Sequence, residues 1–475
     1  MTERRIDWLI AAALFVASTL YRIPFRSEQI FHGDSYGLAA GVMYTLTAHP
    51  PGFIGYCALV RLAYLLAGDV NLAFVIVNVL CTGIATALTY FLGRHMFGRA
   101  EGVIAAILYA TSLDTSYFAE VALSYAAEGA FATAAGLTAW MSVKHRSFRW
   151  LLAHSAILAI GGSVRQTTLA FLFPLWVYVV WRSVPRWRER IAAAAVLVVI
   201  VWSWSVPNAR RLAKYWEQGR DVGYLESVYS LQVAMKQYYD SSSFGKVEYK
   251  AEAPRLHWPL VELGVALWNK IDPPSPDARI EIRTASASNA LRMIRYQTAK
   301  LLLYATLAMG LATLFVLGAL MRRVRVRVDL ERRLVLLLWI VPAAAFFAFN
   351  HLGAWGYLLI FLAALAVIAA RAIAMMRARV LVTAVIAIVN MAAFLFMRPL
   401  PDTSDRNRVI NVAVLQYGAP AIRMHYARSR AKAFTSDPRQ LNVDCVTDEC
   451  LERQLPKDFQ LPEGIEPVKP ITTSN

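Results

Sequence analysis

Charge is scarce in this chain. Only 17% of its 475 residues are Asp, Glu, Lys or Arg, against 57% hydrophobic. That balance excludes an ordinary soluble protein of this length and points to the membrane class. There is no small-x-small cleavage site after Tyr21, so the first apolar run reads as a retained helix rather than a removed signal peptide. No repeat relates the two halves, which argues against a transporter built on internal symmetry. A Gly-rich phosphate loop is missing too, and with it the sign of a nucleotide-binding domain.

What is present is a series of long apolar runs, each about the length a helix needs to cross a bilayer with its backbone polar groups satisfied internally. About eleven lie near residues 8–25, 70–93, 101–117, 121–143, 149–163, 166–181, 190–206, 299–321, 334–350, 356–370 and 379–397. The fold class is therefore an all-α polytopic membrane protein. Net charge is +17, and the positions of the cations matter more than their sum. Alternate connections hold Arg4 and Arg5; Arg94 and Arg99; Lys144, Arg146 and Arg149; Arg182 to Arg190; Arg322 to Arg333; and Arg371 to Arg379. The short connections on the other side hold only Arg165. The excess of cations on the inner face predicts a cytoplasmic N-terminus and an outer C-terminus. It also lays the run from Gly52 to Gly68 on the outer surface as an amphipathic helix in a long first loop, because counting it as a span would invert every later connection.

Three stretches, 26–69, 207–298 and 398–475, then fall outside the membrane on the outer face, the last following a membrane unit of residues 1–397. The four cysteines agree with this orientation. Cys57 and Cys81 lie in apolar stretches as small hydrophobes. Cys445 and Cys450 lie in an outer tail that ends in a Pro-rich, disordered stretch, and an oxidising compartment there permits a disulfide between them. No His stands nearby to favour a metal pair.

The polar residues that interrupt the pattern are the candidates for chemistry. Asp34, in Phe31-His32-Gly33-Asp34-Ser35-Tyr36, reads either as a helix N-cap or as a base at the membrane surface, and the two are compatible. His49-Pro50-Pro51 opens the surface helix, and His49 reads as a surface residue or a ligand-binding one. Glu128 stands within an apolar run, where an acid is expensive unless it faces protein or water; Glu120 reads as a solvated helix end. Arg165, in Gly161-Gly162-Ser163-Val164-Arg165-Gln166, is either a snorkelling cation at the headgroups or a bidentate holder of phosphate. Arg210 and Arg211 end the stretch from Trp204. His351 and Tyr357 belong to an outer turn with aromatic belt residues.

In this order the motifs resemble the integral membrane glycosyltransferases of the C-type fold, which use polyprenyl-phosphate sugars as donors. The likeness is to the bacterial branch of lipid A aminoarabinose transferases, lipopolysaccharide core sugar transferases and relatives of protein O-mannosyltransferases. It rests on Gly33 to Tyr36, His49-Pro50-Pro51, Glu128 to Phe131, Gly161 to Gln166, Trp204 to Arg211 and His351 to Tyr357. The resemblance implies Asp34 as catalytic base, with Glu128 supplying the second acid that relatives carry beside the first, and Glu120 in reserve. It further implies Tyr36, His49, Arg165, Arg210, Arg211, His351 and Tyr357 around the substrates. The expected donor is a polyprenyl-phosphate sugar such as one on undecaprenyl phosphate, and the acceptor a glycolipid, polysaccharide or protein. Transfer would be inverting, on the periplasmic face of a bacterial inner membrane, with no nucleic acid partner. Some relatives bind a divalent metal, but neither the acids nor His32 and His49 have a spacing that demands one. The rival readings are a flippase or transporter of a lipid-linked molecule, and a non-catalytic scaffold.

Overall fold

The computed structural model describes residues 2–27, 35, 38–39, 41–42, 46–48, 52–217, 287–320, 329–349 and 355–397. Among these, all regular structure is helical. The helices are α1 (Glu3–Leu20), α2 (Ile54–Ala67), α3 (Val70–Met96), α4 (Arg99–Thr111), α5 (Leu113–Phe118), α6 (Tyr125–His145) and α7 (Phe148–Val164). They continue with α8 (Gln166–Ser183), α9 (Trp187–Glu217), α10 (Ala287–Met309), α11 (Ala312–Leu320), α12 (Leu330–Phe349), α13 (Leu359–Ala374) and α14 (Arg379–Met397). By length and composition Glu3–Phe25, Val70–Met96, Trp187–Arg210 and Gly356–Ala374 can each cross a membrane. The chain is a multi-pass membrane protein.

Local chemistry sets where these helices begin and end. The Asp69 carboxylate accepts from Leu72 N at 2.8 Å and starts α3, and Ser112 does the same for α5 through Thr115 N at 3.3 Å; each side chain satisfies one of the N–H groups a helix start leaves open. Every apolar run is carried by helix, with four differences from the sequence reading. The run 101–117 is split at Ser112, whose extended backbone and cap begin a new helix. The run 121–143 starts only at Tyr125. The run 299–321 is broken at Gly310, which takes a positive φ of 56° that suits glycine. Finally α9 reaches Glu217 and α10 begins at Ala287, so helix extends into both ends of the stretch 207–298. Past Pro207 the residues Ala209, Arg210, Arg211, Leu212, Ala213 and Lys214 are strong helix formers, and the polar sequence there had looked like a loop.

Two helices form the centre. Most of the apolar length of α13 is buried, 72%, and of α3, 61%, against 17% for α1 and for α9. Around them α3 packs on α1, α2, α4 and α6, while α6 packs on α3, α7, α8 and α13. The small residues of α6 make this closeness available: a Cβ on Gly136 would overlap the Trp339 ring, and one on Gly129 would come 3.3 Å from Leu359. Small side chains at helix interfaces do this throughout membrane proteins. Helix α2 has only 14 residues, fewer than the about 20 that a span needs. It buries Tyr56, Cys57 and Val60 and exposes Leu62, Leu65 and Leu66, so apolar side chains stand on both its buried and its exposed faces. Cys57 is fully buried and Cys81 half-buried.

Candidate active site

The start of α6, the junction of α7 with α8, and the turn before α13 meet at one end of the bundle. Arg165 stands at the junction in an extended conformation, φ −155°, ψ 123°, ending α7 and beginning α8. Its Nε lies 3.2 Å from Glu128 Oε2, and its Nη1 donates to Ser124 Oγ at 3.0 Å. Thr167 Oγ1 donates to the other carboxylate oxygen, Glu128 Oε1. The Glu128 side chain is 1% exposed and that of Arg165 11%.

Aromatic rings enclose the guanidinium. Its Cζ lies 4.3 Å from the Tyr125 ring centroid, 4.9 Å from Tyr357 and 5.5 Å from Phe53. Tyr125 in turn meets Tyr357 edge-on at 5.3 Å and Phe118 at 4.8 Å. Gly356 allows this, since a Cβ there would come 2.6 Å from Phe118 and 2.8 Å from Tyr125. A cation over ring faces away from water is held by their quadrupoles. Burial works against the charge of Arg165, yet the facing Tyr125, Glu128 and Tyr357 hold its guanidinium above its usual range. The result is a closed, charged pair whose polar groups are fixed by Ser124 and Thr167.

A second network supports the floor of this region. The Tyr56 hydroxyl donates to the Leu123 carbonyl at 2.8 Å and lies 3.0 Å from Asn78 Oδ1, while Asn78 Nδ2 donates to Val121 O at 2.7 Å and Leu123 O at 3.0 Å. α2 and α3 thereby fasten the turn 119–124 inside the protein. That turn carries Glu120, which is fully buried; the solvated helix end expected of it is corrected, because the chain folds the turn inward beneath α2. Nearby on α5, Asp114 is fully buried with neither carboxylate oxygen hydrogen-bonded.

Of the residues picked from sequence, the structure brings together Glu128, Arg165 and Tyr357. It overturns the lipid-facing, snorkelling reading of Arg165, because the side chain is turned inward onto Glu128. Arg210 lies exposed on α9, and Arg211 follows it in the same helix. Asp34, Tyr36, His49 and His351 lie outside the described residues, as do His32, Cys445 and Cys450. Ser124, Tyr125, Thr167, Phe53 and Asp114 were not singled out in the sequence. Tyr125 was accessible by spacing, one turn before Glu128 on the same helix face; Thr167 and Phe53 reach the site only through tertiary packing. Among the described residues no three His, Cys, Asp or Glu side chains converge to hold a metal ion.

Residues 48–206 match the family described as dolichyl-phosphate-mannose-protein mannosyltransferase, which bears out the resemblance drawn from the motifs. No curated protein matches. Among solved structures, the chain is similar to the Archaeoglobus fulgidus oligosaccharyltransferase, with TM-score 0.43 and 12% identity over 100% of this chain and 62% of that one. It thus spans less than two thirds of that protein. It is also similar to ArnT from Cupriavidus metallidurans bound to undecaprenyl phosphate, with TM-score 0.46 and 14% identity over 89% of this chain and 71% of that one.

Proposed function

We propose that this chain is a membrane glycosyltransferase that moves a sugar from a polyprenyl-phosphate donor to an acceptor hydroxyl at the end of the bundle where Glu128 and Arg165 pair. One observation carries the reading: the family match over residues 48–206 contains most of the buried ensemble, from Phe53 through Ser124, Tyr125 and Glu128 to Arg165 and Thr167. The orientation is supported by the distribution of cations. Arg94, Arg99, Lys144 and Arg371 lie at helix ends opposite Arg165, as expected if Arg165 faces the outside and the N-terminus the cytoplasm. On this reading the protein sits in a bacterial inner membrane, and stretches 26–69, 207–298 and 398–475 face the periplasm.

The chemistry follows from charge placement. The acceptor oxygen attacks the anomeric carbon as the bond from that carbon to the lipid phosphate oxygen breaks, and the configuration inverts. The acceptor's proton passes to Asp34 as general base, and the lipid phosphate leaves with its negative charge. Arg165 acts here through Glu128: it is committed to that carboxylate in an apolar place, where fixed charges act more strongly than in water. Glu128, so held, orients the reacting groups, while Tyr357 and Tyr125 wall the site. Arg210, Arg211, His49, His351 and Tyr36 remain the groups proposed to meet donor phosphate and sugar.

Transfer of radiolabelled sugar from mixed polyprenyl-phosphate donors, in membranes holding equal amounts of wild type or Asp34→Asn, tests this. Transfer by wild type that collapses in the variant supports the proposal. Wild-type membranes that move labelled lipid across the bilayer and make no glycosylated product would point to a flippase instead.

A further inference from the structure

The end of the bundle opposite Glu128 carries cations that the reaction does not use. Lys144 closes α6 and donates to the His95 carbonyl at 3.0 Å. Partial burial, followed by the facing charges of Arg332 and Arg94, holds its ammonium below the usual range. The acids at this end are spoken for. Asp7 pairs with Arg94 at 3.2 Å and Arg99 at 2.8 Å, Glu3 with Arg94 at 3.7 Å, Glu101 with Arg371 at 2.6 Å and Asp329 with Arg332 at 3.1 Å. Among the described residues Lys144 has no carboxylate.

Beside it, the Arg332 guanidinium lies 5.6 Å from both the Phe97 and Trp140 rings. Trp140 stands one helical turn before Lys144 on the same face. It is only 3% exposed, and its Nε1–H is buried without an acceptor, as is Arg332 Nε. A buried donor left without an acceptor is costly, so two of them next to an unneutralised ammonium mark a place suited to an anion. His95 and the exposed His145 lie near Lys144, and Arg322, Arg323, Arg325 and Arg327 precede α12 in the chain.

We propose that Trp140, Lys144 and Arg332 bind the phosphate of an anionic membrane phospholipid. The chemistry asked for is a phosphate with open oxygens: the Trp140 N–H, the Lys144 ammonium one turn on and the Arg332 guanidinium against the Trp140 ring lie together. Its source is a lipid rather than a soluble ion because the cluster lies at helix ends, at headgroup level. Leu330 beside it is 70% exposed and available to an acyl chain. Basic pockets between membrane helices hold anionic headgroups in this manner. The proposal is independent of sugar transfer.

Purified full-length protein in an uncharged detergent is titrated with phosphatidylglycerol, phosphatidylcholine or inorganic phosphate, following bound lipid by native mass spectrometry and the melting temperature. Phosphatidylglycerol is expected to bind and raise the melting temperature, and phosphatidylcholine to do neither. Removing one cation, by Lys144→Gln or Arg332→Gln, weakens binding about fivefold. Trp140→Phe keeps the ring, loses the donor, and weakens it about tenfold. Arg149→Gln, an exposed cation at the same end, binds as wild type does. Equal effects of the two lipids, undiminished binding in Trp140→Phe and the cation variants, or an equal shift from inorganic phosphate alone would each overturn the proposal.

Discussion

At the scale of single residues, the structure turns on ionisable groups placed where water is absent. Glu128 and Arg165 are tolerable there only as a pair. Arg165→Ala is therefore expected to destabilise the protein by roughly 3–5 kcal/mol, because it strands a buried carboxylate. The double variant with Glu128→Gln should recover much of that loss, which unfolding in detergent can measure as a coupling energy. Thr167→Val removes the hydrogen bond to Glu128 Oε1 and leaves the fold. Sugar transfer should fall about tenfold in kcat with little change in donor KM, since one charge-assisted bond of 1.5–3 kcal/mol is lost. Asp114, buried without a partner, should behave in the opposite sense: Asp114→Leu is expected to raise the melting temperature, by removing a polar group that nothing compensates. A lower melting temperature would mean that this carboxylate is satisfied in the working protein. Glu128 and Arg165 were legible as candidates because an ionisable side chain in an apolar run is expensive. Their pairing was not, since the two are brought together by packing between α6 and the α7–α8 junction. Glu120 misled because polarity at the end of a run looks solvated, whereas its turn is tied inward by Tyr56 and Asn78.

Helices were the most readable elements. Length and hydropathy located every run, because a membrane span has to satisfy its own backbone. Their interruptions were hidden: Ser112 breaks a run by capping a new helix, and Gly310 by taking a positive φ, neither of which changes the hydropathy. Packing between elements was hidden too, although the small residues of α6 carried the hint. Trp339 lies against Gly136 and donates from Nε1 to Ile360 O at 2.7 Å, locking α12 to α6 and α13. Gly136→Leu should force that ring out at about 1–3 kcal/mol or more. The expected readout is a lower melting temperature and less folded protein in membranes, while Gly68→Ala at a surface turn, with open space around it, should cost less despite its positive φ.

For the whole molecule, the asymmetry of charge fixes the expected orientation and separates the two ends in role. Among the described residues, the end at Arg165 holds the buried Glu128–Arg165 pair, and the opposite end is crowded with arginines. Single cysteines at Arg188 and Arg210, exposed near opposite ends of α9, should label from opposite sides of sealed vesicles, Arg210→Cys from outside. The reverse pattern would invert the topology and place the Glu128 pair in the cytoplasm. How the motifs assemble into a site was legible only in part. Glu128, Arg165 and Tyr357 do meet, yet Arg165 proves to be the partner of an acid inside the protein rather than a free cation at the membrane surface. The most direct measurement is sugar transfer from polyprenyl-phosphate donors by wild type and by Glu128→Gln, each first shown to be folded by its melting temperature. Transfer by the wild type that falls at least tenfold in the variant is the predicted result; equal transfer by both would contradict a site built on Glu128.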